Sequence, residues 1–143
     1  MTAGRRVFGE RGAVSTELAV LTPVLLGFML FAVFAGRVAQ MDGDVANAAH
    51  EAARAATLHG TPAGATDAAE ATAGANLTHR GVSCGELVVA VDTALFHPGG
   101  QVAVTVTCHT SMADLAMLAV PGSRTFSASA VEVIDTHIAG GDA

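Results

Sequence analysis

An apolar stretch without a single charge runs from Leu18 to Gly36 and constrains the fold more than any other feature of the sequence. As a helix, these residues would extend about 28 Å, close to the thickness of the hydrocarbon core of a bilayer. One carboxylate, Glu17, borders the stretch on its N-terminal side, and Arg37 follows it directly. Pro23 lies inside it, where a proline bends or loosens a helix. The stretch predicts a membrane-spanning helix over residues 18–38.

The charges on either side of this stretch predict its orientation. Arg5, Arg6 and Arg11 precede it, against one acid, Glu10. Arginine-rich flanks stay in the cytoplasm, so the N-terminus is expected inside the cell and the C-terminal region outside it. The chain has no lysine and a formal net charge of -6, which argues against a nucleic-acid partner.

The helical pattern continues beyond Arg37 and predicts one long helix, bent near Gly43 and ending at about Leu58. Gly60 and Pro62 supply the stop signal. One face of this extension is small and apolar and is suited to close packing against a sheet or a partner. Its predicted members are Val45, Ala48, Ala49, Ala52, Ala55, Ala56 and Leu58, with Asp44, Asn47, Glu51 and Arg54 mostly elsewhere.

The second half of the chain changes character from helix to strand. A weaker helix is predicted over residues 66–77, with Thr66 or Asp67 near its N-cap. Runs rich in β-branched residues predict strands over 87–91 and 102–107, joined by a turn-rich loop at 96–100. Alternation predicts a third strand over 124–134, and the apolar segment 112–120 is either a short helix or a loop that covers the sheet.

These elements predict an α+β fold in which a long N-terminal transmembrane helix extends into a small extracytoplasmic domain with an antiparallel sheet of about three strands. The predicted division is a cytoplasmic leader (1–12), a transmembrane helix (13–38), an extracytoplasmic helix extension (39–60) and a small α+β domain (61–143).

The two cysteines are predicted to form a disulfide. Cys108 shares a strand face with Val104, and pairing of the apolar strand faces places Val89 opposite Val104 and Gly85 opposite Cys108. A β-bulge that takes up Gly85 brings Cys84 to Cys108 instead. An oxidising compartment favours the bond, and the alternative is two free buried thiols.

Enzyme and metal signatures are incomplete. His50-Glu51 begins like a zinc-protease motif, but Arg54 stands where the second histidine is required. Asp42-Gly43-Asp44 begins like a calcium loop and lacks the later ligands. The sequence therefore predicts no catalytic residue, no metal site and no cofactor.

The N-terminal region has two interpretations, a cleaved secretion signal and a membrane anchor. Arg5-Arg6-Val7-Phe8 partly resembles a twin-arginine signal, and Val33-Phe34-Ala35 would suit a signal peptidase. The apolar run is longer than the core of a usual signal and merges into the following helix without a cleavage break. Glu17 favours an anchor with a function if its carboxylate enters the membrane core, where carboxylates are rare and commonly functional. The alternative is that the carboxylate lies in the headgroup layer at little cost.

The segment Arg11-Gly-Ala-Val-Ser-Thr-Glu-Leu-Ala-Val-Leu-Thr-Pro-Val-Leu-Leu26 resembles the N-terminus of TadE-like proteins, the pseudopilins of the tight-adherence (Tad) secretion system that builds Flp pili. The strand at 102–107, the apolar segment 112–121 and residues 125–132 are similar to the C-terminal pattern of the family. The resemblance implies cleavage by a prepilin-type peptidase between Gly12 and Ala13, with Glu17 as the fifth residue of the mature chain. Leu18 departs from the aromatic residue that Tad pilins favour after this glutamate.

The combined expectation is a structural membrane protein, not an enzyme: a minor pseudopilin or assembly component of a Tad-type pilus. Its expected partners are the membrane, other pilin or pseudopilin subunits, the Tad membrane platform and the prepilin-type peptidase. Its expected place is the cell membrane, as a single-pass protein with a cytoplasmic N-terminus that is incorporated into a pilus or retained in the membrane. The alternative is a secreted or surface-anchored binding domain with an ordinary signal segment.

Overall fold

The computed structural model of the chain describes residues 11–116, 119 and 121–136. Residues 1–10 of the predicted leader and the end of the apolar segment, at Val120, lie outside the described residues. The described elements are, in chain order, helix α1 (Arg11–Thr57), helix α2 (Pro62–His79), strand β1 (Glu86–Asp92), strand β2 (Gln101–Ser111), helix α3 (Met112–Ala116) and strand β3 (Ser123–Val133).

The chain divides into two compact units, and the boundary falls between Gly36 and Arg37. The first unit contains the apolar part of α1. The second contains the remainder of α1, the other two helices and the sheet. The finer predicted division into leader, anchor, extension and domain stays a prediction.

Helix α1 is 47 residues long and is uninterrupted through Pro23 and Gly43. It ends within one residue of the predicted end, where the Thr57 hydroxyl donates to the carbonyl of Arg54 at 2.7 Å. Within the second unit this helix contributes a fully buried face made almost entirely of alanine. The members of that face are Val45, Ala48, Ala49, Ala52, Ala53 and Ala56.

The prediction of this face missed the buried Ala53 and was wrong at three further positions. Leu58 follows the end of the helix and is 68% exposed, and Ala55 is only half-buried. Asp44, which the sequence placed mostly elsewhere, is buried with 7% exposure. Its position is explained by its spacing, because residues four apart share a helix face and Asp44 precedes Ala48 and Ala52 by four and eight.

Helix α2 begins four residues before its predicted start. Thr61 is the N-cap, with an extended backbone, and its hydroxyl accepts a hydrogen bond from the amide of Gly64 at 3.2 Å. Pro62 occupies the first helical turn, where its missing N–H costs no hydrogen bond. The predicted N-cap at Thr66 or Asp67 was therefore wrong, because Pro62 starts α2 as well as following the end of α1. The buried residues of α2 recur every four positions: Ala65, Ala69, Ala73 and Leu77.

The sheet is antiparallel with the order β1-β2-β3, which confirms the predicted α+β class with three strands. The inner face of the central strand is buried along its whole length, from Val102 through Cys108 to Thr110. On the outer face, hydroxyl groups pair across β2 and β3, with Thr105 to Ser129 at 2.8 Å and Thr107 to Ser127 at 3.0 Å. The polar residues between the apolar ones therefore stabilise the exposed side of the sheet.

Helices α2 and α3 lie close to this sheet. α2 contacts β1, and α3 contacts β2. The predicted loop at 96–100 joins β1 to β2, and Gly100 is required there because a Cβ at this position would collide with the carbonyl oxygen of Leu95.

Candidate functional site

The first candidate site is the apolar part of α1. Every residue from Glu17 to Val33 is exposed, and the large apolar side chains retain between 48% and 69% of their accessible surface. By length and composition, this is the one helix among the described residues that is able to span a membrane, and none of its most apolar window is buried. A core helix of a water-soluble domain would bury these side chains, so the exposure fits a single-pass membrane protein.

The polar groups inside this segment are satisfied locally or lie at its edge. The Thr22 hydroxyl donates to the carbonyl of Leu18 at 2.6 Å, one turn earlier. Pro23 has no N–H to donate to the carbonyl of Ala19, which is the cost of a proline inside a helix. Glu17 is exposed at the N-terminal end of the apolar run.

The predicted cleavage residues lie at the start of the same helix. Gly12 and Ala13 belong to the first turn of α1, which begins at Arg11. Ala13 and Glu17 are separated by four residues, or one helical turn. The helix therefore brings the backbone nitrogen of Ala13 and the carboxylate of Glu17 to the same end of the apolar segment.

The second candidate site is the disulfide between Cys84 and Cys108, whose Cα atoms are 5.3 Å apart. Cys108 is fully buried on the central strand, and Cys84 lies in the connection between α2 and β1. The bond fastens that connection to the centre of the sheet. The cysteines of the described residues are both in this bond, and neither is free.

The predicted strand register that led to this bond was wrong by two residues. Val89 is opposite Val106 rather than Val104, and Leu87 rather than Gly85 is opposite Cys108. The Gly85 amide donates to the carbonyl of His109 at 2.7 Å, although Glu86 is the register partner of His109. Gly85 and Glu86 therefore both face His109 of β2, as in a β-bulge. The chain bends at this point, and Cys84 reaches Cys108.

A third site was not foreseen from the sequence. The guanidinium of Arg80 donates to the carboxylate of Asp44 at 3.0 Å, across 36 residues of sequence, and its Nε donates to the side-chain oxygen of Asn76 at 3.1 Å. The Asp44 side chain is 10% exposed and the Arg80 side chain 41%. The arginine therefore stabilises a nearly buried carboxylate while part of its own guanidinium faces solvent. The four-residue spacing of Asp44 from Ala48 was the available signal for its burial.

This ion pair forms part of the wall of a cavity of about 570 Å³ within the second unit. Arg37, Gln40 and Met41 of α1 line one side of it, ahead of Asp44. The turn after α2 and the first residues of α3 line the other side. Arg37 is half-buried, and its side chain makes no hydrogen bond or ion pair with any residue that the structure describes.

Histidine and acidic residues are scattered rather than clustered. Within the described ranges, no group of three or more His, Cys, Asp or Glu side chains is placed to hold a metal ion. His50 and Glu51 are both exposed on α1.

A comparison with protein-family models found a similarity over the first site. Residues 12–54 match the model of the TadE-like protein family. This segment of the chain is similar to TadE-like proteins. The match starts at Gly12 and covers less than a third of the 143 residues, and it includes the whole apolar part of α1 and its alanine-rich continuation.

The match confirms the predicted resemblance of the N-terminal segment. No curated protein and no solved structure matches the chain.

Proposed function

We propose that this chain is a minor pseudopilin or assembly subunit of a Tad-type pilus. One observation carries the proposal: the segment similar to TadE-like proteins belongs to a helix whose first part is exposed and apolar over the length of a bilayer, and the same helix supplies the buried face of a folded domain. A subunit of this kind needs an anchor for storage in the membrane and a folded domain for contacts outside it.

The proposed topology places the leader in the cytoplasm, residues 13–38 in the membrane, and residues 39–60 and 61–143 outside. Three arginines before the apolar run support it through the positive-inside rule. The Cys84–Cys108 disulfide supports it independently, because such bonds persist in oxidising compartments. The proposed partners are other pilin or pseudopilin subunits, the Tad platform and the prepilin-type peptidase.

Cleavage between Gly12 and Ala13 would give the mature chain an ammonium group on Ala13. The carboxylate of Glu17 is four residues away in the same helix. Between staggered neighbouring copies, the ammonium of one chain pairs with the Glu17 carboxylate of the next in a layer of low dielectric constant. An unpaired charge is penalised in that layer and a matched pair is not, so the pairing favours correctly staggered copies.

The test is the variant Glu17→Gln in the producing organism, which keeps the shape of the side chain and removes its charge. The matched control is Glu51→Gln, an exposed carboxylate on the same helix beyond the apolar segment. Three quantities are measured: the amount in the membrane fraction, oxidation of the two cysteines, and the amount in sheared pili. Glu17→Gln should insert and oxidise like the parent and be lost from pili, whereas Glu51→Gln should behave like the parent throughout.

Mass analysis of the mature protein and a reporter fusion complete the test. The mature chain should begin at Ala13, and a reporter that is active only outside the cytoplasm should be active when fused after Ala143. Pili that contain Glu17→Gln at the parental level would refute the role of the carboxylate. Free protein in the medium that begins after Ala35 would instead favour a secreted binding domain.

A further inference from the structure

We infer that the cavity beside Arg37 and the Asp44–Arg80 pair binds the phosphodiester headgroup of a membrane phospholipid, with the guanidinium groups of Arg37 and Arg80 as its donors. This inference rests on the membrane insertion proposed above. It assigns a ligand to a cavity of about 570 Å³ that the anchoring and assembly roles do not use.

The position of the cavity along α1 is the first reason. Arg37 is the residue directly after the apolar segment, and Gln40 and Met41 line the same cavity. From Arg37 to Met41 the helix rises about 6 Å. The headgroup layer on each side of a bilayer is about 5–8 Å thick. An apolar segment that ends with Gly36 at the hydrocarbon boundary therefore places this part of the helix among lipid headgroups.

The fixed orientation of Arg80 is the second reason. A guanidinium has five N–H donors. Two contacts hold Arg80 in place, one to Asp44 and one to Asn76, and its side chain remains 41% exposed beside the cavity. The donors that these contacts do not use are available to a phosphate oxygen. Because the side chain is already held, little conformational entropy is lost when it binds.

Arg37 is the third reason. It is half-buried in the cavity wall, and among the described residues it has no acceptor. A guanidinium at that depth is stabilised by an oxygen acceptor that carries negative charge. The oxygen atoms of a lipid phosphodiester occupy the same layer of the membrane.

The acidic residues of the wall limit which anion fits. Asp44 is paired with Arg80, and Asp114 accepts a hydrogen bond from the Ser111 hydroxyl at 2.6 Å. Two arginines and two aspartates leave the described wall without net charge. A free multivalent anion would gain little from such a wall. A phosphodiester carries a single negative charge and is also held in the layer by its acyl chains, so both zwitterionic and anionic phospholipids fit.

The experiment measures lipid binding to the full chain in a mild detergent by native mass spectrometry. The probes are phosphatidylglycerol, phosphatidylethanolamine, diacylglycerol without a phosphate, and water-soluble glycerol phosphate. The variant is Arg37→Gln, which removes a cation that stabilises no other described residue. The matched control is Arg54→Gln, an exposed arginine on the same helix outside the cavity.

The parent should bind both phospholipids more tightly than diacylglycerol. Arg37→Gln should weaken both by about tenfold, the effect expected for a lost charge-assisted hydrogen bond. Arg37→Lys, which keeps the charge and loses the forked donor geometry, should lie between Arg37→Gln and the parent. Arg54→Gln should bind like the parent.

Equal phospholipid binding by Arg37→Gln and Arg54→Gln would overturn the inference. So would equal affinity for diacylglycerol, or an equal affinity for glycerol phosphate, which would indicate a site for soluble anions. Carbonate extraction of membranes separates this failure from that of the proposed function. A parent that is inserted but does not distinguish these probes overturns only the lipid site, whereas a parent that is extracted overturns both.

Discussion

Removal of the Cys84–Cys108 bond should destabilise the domain by an amount that follows from its place in the chain. The two cysteines are separated by 24 residues of sequence. For a loop of this length, the loss of loop-closure entropy in the unfolded chain corresponds to about 3.5 kcal/mol at 25 °C. We expect Cys84→Ala to lose this amount, because the smaller side chain at half-buried Cys84 leaves less of a void than truncation at fully buried Cys108.

The free energy of unfolding is measured by denaturant titration of the full chain in detergent, with loss of sheet structure followed by circular dichroism. Parent protein, reduced parent protein and Cys84→Ala are compared. The reduced parent keeps every side chain and lacks only the bond between them. It should therefore lose about the same free energy as the variant. The oxidised parent should be two hydrogens lighter by mass and should resist thiol alkylation.

Two results would refute this reasoning. A loss below about 1 kcal/mol in both reduced parent and Cys84→Ala would show that the bond does not restrict the unfolded chain as the entropy estimate requires. Free alkylation of both cysteines in protein exported by the cell would show that the bond is not formed there.

Three further substitutions probe the packing of the second unit, again by the free energy of unfolding. Ala52→Asp buries an unpaired charge and should cost more than about 3 kcal/mol. The control Asn47→Asp, at an exposed position of the same helix, should cost under about 0.5 kcal/mol, and equal losses in the two variants would show that the alanine face is not buried. Arg80→Gln should cost about 1–2 kcal/mol because it leaves the Asp44 carboxylate without its cation, and adding Asp44→Asn should recover most of the loss. If the free-energy losses of the two single variants simply add in the double variant, the two side chains do not interact. Thr61→Ala removes the N-cap of α2 and should cost about 1 kcal/mol, whereas Thr61→Ser should keep most of the parental stability. An unchanged free energy of unfolding in Thr61→Ala would show that the cap does not stabilise the helix.

The elements that sequence reasoning placed well are those encoded by local patterns. The end of α1 at Thr57 was predicted to within one residue, since an alanine-rich run followed by Gly60 and Pro62 leaves little freedom. The three strands follow from alternation and β-branched residues. The start of α2 was misplaced because a threonine followed by a proline signals a helix start as well as a helix end, and only the structure shows which use applies.

The strand register is a feature that local sequence patterns did not determine. The alternation of apolar residues determined which faces of β1 and β2 pair, because side chains alternate between the two sides of a strand. It did not distinguish registers that differ by two residues, since a shift of two keeps the same faces together. The structure has Leu87 opposite Cys108, and the bend at Gly85 brings Cys84 to the same cysteine.

The sequence by itself determined the long apolar helix, the N-terminal resemblance and the class of the fold, because hydrophobic length and residue periodicity are properties of neighbouring residues. The ion pair between Asp44 and Arg80 and the cavity beside Arg37 were decided by the tertiary structure alone, although helical spacing already placed Asp44 on the buried face of α1. Each joins groups that are tens of residues apart in the chain, and an isolated carboxylate on a predicted helix is ordinarily a solvated one. A carboxylate is buried only when the fold places a guanidinium beside it, because the ion pair offsets the free energy that the carboxylate loses when it leaves water.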